Sequence, residues 1–291
     1  MAQMTKKQFD RIIRENIIAE MEKKGEKTSI GYVLNGNKYD DYYSQEAFKA
    51  FLDKMKTDYI GFYDKYTDSP GNETIEKNDA PPKMASVASS SRFCYLALRN
   101  GFEKEGINKV EVEKKCKING MKGCVHANLD AFCKENNTYI EVKCHEIFDH
   151  HTIKMSGQYR KHLKEEFELE VDTEDKSEVV IELEKFGVET PFSRFDIKQL
   201  ICHLLGISSR MEEDEKATLM YLFFKPIPQS ADERKMMAKV FDELEGEIRK
   251  IFNSKPIKTF VNKHNIKLKV LIETEKVMKS LNEAMVDVME Y

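Results

Sequence analysis

The sequence predicts an α/β protein, a central sheet flanked by helices, behind a helical N-terminal extension. Three observations carry this prediction. From residue 84 onward, segments of helical period and short strand-like runs follow the order helix, three strands, insertion, helix, strand, helix, strand, helix. The stretch HANLDAFCKENNTYIEVKCH, His126 to His145, reads as a β-hairpin. The polar stretch Thr67 to Lys83, with Pro70, Gly71, Pro81 and Pro82, is the best boundary in the chain. It divides residues 1–83 from a domain over 84–291, with an insertion at about 146–191.

The elements follow in order. Phe9, Ile12, Ile13, Ile17, Ala19 and Met21 give a helical stripe from Thr5 to about Lys24, ended by Gly25. Gly31, Asn35, Gly36 and Asn37 mark a loop. Ser44 is the expected N-cap of one helix reaching Lys65, with Phe48, Phe51, Leu52, Met55, Tyr59, Phe62 and Tyr63 inward. A helix is expected over Met84–Asn100; its serines, 89 to 91, suit close packing on a sheet, and Arg92 reads as a surface residue. Val110 to Ile118 reads as a strand, and Asn119-Gly120 as a tight turn into the hairpin. The insertion holds one strand-like run, Val179 to Leu183. Ile197 to Leu205 reads as a helix stopped by Gly206, and Ala217 to Phe224 as a buried strand. A helix over about Ala231–Phe252, a strand over Ile266–Glu273 and a helix over about Glu275–Met289 complete the chain.

Composition bounds the function classes. No apolar run in the 291 residues approaches the roughly 20 that span a bilayer. The charged N-terminus, MAQMTKKQFDRIIREN, does not read as a secretory signal. The six cysteines contain no Cys-x-x-Cys pair, and Cys116, Cys124, Cys133 and Cys144 lack zinc-ribbon spacing. Reduced thiols, no membrane partner and a cytoplasmic location are therefore expected. The net charge of −4 weighs against nonspecific attraction to nucleic acid. Locally basic strips run the other way: Lys109, Lys114, Lys115, Lys117 and Lys122 around the first strand, and Lys154, Arg160, Lys161 and Lys164 after the hairpin.

The hairpin carries the chemistry. A turn centred on Glu135 and Asn136 sets Cys133 opposite Thr138, Asp130 opposite Glu141, Asn128 opposite Lys143 and His126 opposite His145. Alternation then gives one apolar face and one face of His126, Asn128, Asp130, Glu141, Lys143 and His145. Opposed carboxylates, with Cβ atoms roughly 5 Å apart, repel unless a cation lies between them. Mg²⁺ favours such oxygen ligands, and Lys143 is on the same side to hold or deprotonate a water or to neutralise a phosphate. An amphipathic hairpin with a solvated polar face has the same pattern, and Glu-x-Lys alone recurs at Glu22, Glu113, Glu174 and Glu233. His145, His150 and His151 have no regular ligand spacing.

Asp130 followed by Glu141-Val142-Lys143 on the next strand resembles the PD-(D/E)xK nuclease superfamily, although Leu129 stands where its motif names proline. The resemblance covers about Met84 to Phe224 as motif and element order. It implies a restriction-endonuclease-like fold with a mixed central sheet. It also implies a metal-dependent nuclease hydrolysing DNA phosphodiesters, of restriction, defence or repair type and with endonuclease action favoured. Asp130, Glu141 and the Val142 carbonyl would hold Mg²⁺ or Mn²⁺, and Lys143 would position or activate the nucleophile. Gln199 matches the polar residue often found on the following helix, although a surface glutamine fits that helix equally well. Duplex cleavage favours a homodimer with two sites. The alternative is a non-catalytic module on the same fold that binds nucleic acid or protein.

Overall fold

The computed structural model describes residues 3–23, 30–68, 73–123, 125–171 and 177–273. Its first part holds helix α1 (Lys6–Lys23), strands β1 (Ile30–Leu34) and β2 (Asn37–Tyr43), and helices α2 (Gln45–Asp58), α3 (Ile60–Asp68) and α4 (Ser90–Leu98). Then come β3 (Glu111–Lys117), β4 (His126–Cys133) and β5 (Thr138–Lys143). The segment 146–191 contributes β6 (Ile153–Ser156), α5 (Arg160–Glu166) and β7 (Glu178–Ile181). The chain goes on through α6 (Ile197–Ser208), β8 (Ala217–Phe224), α7 (Ala231–Asn253), α8 (Lys255–Lys263) and β9 (Ile266–Glu273).

The α/β class expected from the sequence is present. Five strands form a mixed central sheet in the order β3-β4-β5-β8-β9, antiparallel from β3 to β5 and parallel from β5 to β9. Helices cover both faces. On one face Phe93 of α4 stacks on Phe224 at 4.2 Å between ring centroids. On the other, His203 of α6 meets the hydroxyl of Tyr221. Phe224 and Tyr221 are an odd number of residues apart on β8, so they face opposite ways. Burial on both sides explains why β8 reads as a continuous apolar run.

Several boundaries differ from the sequence reading, each for a local reason. The loop expected around Gly31 to Asn37 is the β1–β2 hairpin, turned by Asn35 (φ 51°) and Gly36 (φ 80°), both left-handed. The single helix from Ser44 to Lys65 is two, α2 and α3, broken at Tyr59, although Ser44 is the N-cap as expected. The helix expected from Met84 starts only at Ser90, because the Ser89 side chain caps it by accepting from the Arg92 N–H. Arg92 is buried rather than on the surface. Gly206 does not stop α6, which runs on to Ser208. The strand expected at Val179–Leu183 is β7, paired with β6. The short helix α8 was not anticipated. Cys124 and the helix expected over Glu275–Met289 lie outside the described residues.

The N-terminal helix packs beside the sheet-bearing part. Phe9 lies 5.1 Å from Phe148 and 6.4 Å from Phe241, ring to ring. Asn16 makes two hydrogen bonds to the backbone of Ile227, and Arg11 pairs with Glu233. Among the described residues, no helix is long and apolar enough to cross a membrane.

Candidate functional site

The hairpin register is the one that the turn chemistry demands. Cys133 pairs with Thr138, Phe132 with Tyr139 and Ala131 with Ile140, which brings Asp130 level with Glu141. The β4–β5 ladder then ends. The expected pairs Asn128/Lys143 and His126/His145 are not part of it, because an Asp130 oxygen accepts the Val142 N–H at 2.6 Å. A carboxylate thus takes the place of a backbone acceptor, and the two strands part beyond it.

The expected alternation of faces also fails at this point. Phe132 lies against Tyr139 and within cation–π range of Arg210, just past α6. Ala127 also faces α6: a Cβ on Gly206 would lie only 2.6 Å from its own. Ala127 and Phe132 are five apart, so a regular strand would point them in opposite directions. The interruption lies beside Glu113 of β3, which has a φ of 54°. Asp130 therefore sits at a strand irregularity, a place where a side chain is re-aimed. Its carboxylate reaches the gap between β4 and β5 instead of standing in a plain row with Glu141.

Glu141 is held from three directions. One carboxylate oxygen accepts from the Lys143 ammonium at 2.8 Å and from the Gln199 amide at 2.8 Å. The other lies 3.7 Å from His203 Nε2. The residue is only 4% exposed, so this is not the wet face of an ordinary hairpin. Gln199 is placed by local sequence: Asp196 caps α6 by accepting the Gln199 N–H at 2.9 Å. The segment before the cap is anchored by Glu247 of α7, which accepts from the Ser193 hydroxyl and the Phe195 N–H.

His203 was visible only as a residue four after Gln199 on one helix face. In the fold its Nε2 lies 3.0 Å from the Asn128 carbonyl and its Nδ1 3.2 Å from the Tyr221 hydroxyl. A carbonyl only accepts, so Nε2 carries the proton and Nδ1 receives the tyrosine hydrogen. Burial pushes the imidazole pKa down, which keeps it neutral. Tyr221 had no local signal; the parallel register of β5 and β8, with Glu141 beside Tyr221, brings it in. Among the other histidines, His145 pairs with Asp10 of α1 at 2.8 Å and His151 with Asp196 at 3.6 Å.

Charge at the site is arranged unequally. Burial, and next the Glu141 carboxylate, push Asp130 well above the usual carboxylate range, while Lys143 and the Val142 N–H pull it down by less. Burial also presses on Lys143, but the carboxylates of Glu141, Glu146 and Asp130 outweigh it and hold the ammonium above the ordinary lysine range. A lysine so held remains a cation at neutral pH. Positioning of a water and neutralisation of charge on a phosphate both fit this arrangement.

Whether a divalent cation fits can be judged from these donors. Asp130 and Glu141 are neighbouring carboxylates whose mutual repulsion is only partly relieved. The Val142 carbonyl lies on the same edge of β5 as its N–H, facing Asp130, since both groups of a strand residue point to one side. Two carboxylates and a carbonyl suit Mg²⁺ completed by water. Among the described residues no group of three or more His, Cys, Asp or Glu side chains forms a metal cage. Compared with protein-family models, curated proteins and solved structures, the chain matches none.

Proposed function

We propose that this protein is a metal-dependent nuclease of the PD-(D/E)xK type, with a restriction-endonuclease-like core, that hydrolyses phosphodiester bonds of DNA. The observation carrying this reading is the convergence of Asp130, Glu141, Lys143 and Gln199, from two neighbouring strands and a helix, on one half-buried point where the ladder opens. Asp130, Glu141 and the Val142 carbonyl would hold Mg²⁺ or Mn²⁺. Bound there, the ion supplies Lewis acidity toward the phosphate and lowers the pKa of a water. Lys143 places a positive charge where negative charge develops on the phosphoryl oxygens. Gln199 and His203 hold Glu141 in one orientation, so that little rearrangement is needed during the reaction.

The test is digestion of supercoiled and linear DNA with Mg²⁺ or Mn²⁺, wild type beside Asp130→Ala and Lys143→Ala. Cleavage by wild type and a loss of at least ~100-fold in each variant is expected. Equal cleavage by all three proteins overturns the site assignment.

One observation favours a second reading, a non-catalytic module that binds nucleic acid or protein. Glu141 already has a full set of partners in Lys143 and Gln199, with His203 close by. Magnesium titration followed by thermal unfolding separates the two. A nuclease site binds the ion and raises the melting temperature in wild type but not in Asp130→Ala, whereas a plain binding module shows no shift in either.

A further inference from the structure

We propose that the surface formed by the β3–β4 connection and the start of α5 is a binding groove for the phosphate backbone of duplex DNA, separate from the cleavage point. The assignment of DNA rests on the nuclease reading; the groove itself rests on geometry and charge. Two adjoining depressions of about 410 and 390 Å³ share Gly157, Gln158 and Arg160. Lys161 and Lys164 line the first, and Lys122 the second.

The charge there runs against that of the molecule. The whole chain carries −4, yet the stretch from Ser156 to Lys164 has Arg160, Lys161 and Lys164 and no acidic residue. Lys122 and Lys164 are exposed and have no ion pair among the described residues. Glu165 lies at the rim and pairs loosely with Lys161 at 3.9 Å, and on its far side Lys164 borders a neighbouring depression that holds Glu168 and Glu170. A cationic strip of this kind attracts phosphates through charge and released counterions, without reading sequence.

The groove is tied to the candidate site. The Lys122 N–H donates to the Gln158 side chain at 3.0 Å, which joins the β3–β4 connection to the turn before α5. The Cys202 thiol, next to His203 on α6, contacts the Tyr159 hydroxyl at 3.4 Å. From the groove the chain enters β4 at His126 and reaches Asp130 four residues later, about 13 Å along a strand. Counted from Lys122, which lines the groove, the eight residues to Asp130 span at most about 28 Å, so both places lie within one roughly 34 Å turn of a duplex.

The experiment measures binding of a labelled 20-base-pair duplex in EDTA, which prevents cleavage, over a range of salt. Wild type is compared with Lys122→Ala/Lys164→Ala and with Lys154→Ala. Lys154 lies outside the groove and is paired with Glu178, so it controls for the loss of a lysine elsewhere on the surface. The groove double variant is expected to bind several-fold more weakly on unrelated sequences. Its log–log salt slope should fall by about 0.9 for each lost phosphate contact, and Lys154→Ala should match wild type. Unchanged affinity and slope in the double variant overturn the proposal, as does an equal loss in Lys154→Ala. Binding of polyglutamate in place of DNA overturns it too. A protein that binds through this groove but cuts nothing in Mg²⁺ or Mn²⁺ removes the nuclease reading alone. One that cuts DNA while the groove variant binds like wild type removes the groove alone.

Discussion

Asp130 is the residue on which the electrostatics of the site turn. Its folded pKa is raised by burial and by Glu141. The unfolded value is near 3.9, so the folded state holds this proton more tightly. Stability from this group is complete below the unfolded pKa and is lost as pH rises through the folded value. Lys143 does not mask the effect, because its raised pKa changes stability only above about pH 10. Asp130→Asn, whose amide oxygen still accepts the Val142 N–H, should therefore be more stable than wild type at pH 7.5 and lose that advantage toward pH 4. Urea midpoints at the two pH values check this, and a wild-type advantage at pH 7.5 contradicts it. Arg92 supplies a second test. Its guanidinium lies 3.8 Å from the Tyr43 ring centroid, its three nitrogens have no hydrogen-bond partner among the described residues, and burial lowers its pKa to about 10. The ring offsets part of the desolvation cost, up to about 2 kcal/mol, but an unsatisfied buried cation is still expensive. Arg92→Met should leave stability unchanged or raise it by about 1 kcal/mol in chemical denaturation; a loss above that would mean the stacking is worth more than the burial costs.

At the scale of elements, α6 is the piece that assembles the site, and Gly206 allows its approach. A Cβ there would lie 2.6 Å from the Cβ of Ala127 and 3.0 Å from that of Cys116. Gly206→Ala gains about 1 kcal/mol of helix propensity but forces α6 away from β3 and β4. A net loss of about 1–3 kcal/mol is expected as Gln199 withdraws from Glu141; a stabilised variant would show that the helix can shift freely. Much of this level was legible beforehand. Strands β8 and β9 were placed to the residue, because an apolar run bounded by Pro226 and the alternating start of Ile266 to Glu273 are local signals. The β4–β5 turn and its register followed from Lys134 to Asn137. The β1–β2 hairpin was missed even though Asn35-Gly36 is a strong turn signal, because β1 is five residues long with Gly31 inside it and β2 is polar with little alternation. Gly206 was misread as a stop because its close approach to β4 has no trace in the neighbouring sequence.

For the whole molecule, the first helix and the sheet-bearing part share a core. Phe9 is fully buried between Phe148 and Phe241, and its neighbour Asp10 holds His145, two residues beyond Lys143. Phe9→Ala should cost about 3–5 kcal/mol in a single unfolding transition. If a fragment beginning at residue 84 unfolds as cooperatively as the full chain, that shared core is not needed. By itself, the sequence determined the five strands of the central sheet, the order in which they follow, and that Asp130 and Glu141 come level. These follow from periodicity and turn chemistry within a few residues of chain. Only the tertiary structure decided where the Asp130 carboxylate is aimed and which groups hold Glu141. The strand irregularity at Glu113 and Asp130, the depth to which α6 settles on Ala127, and the arrival of Tyr221 from a parallel neighbour all depend on contacts between residues distant in the chain, where packing overrides the regular alternation of a strand.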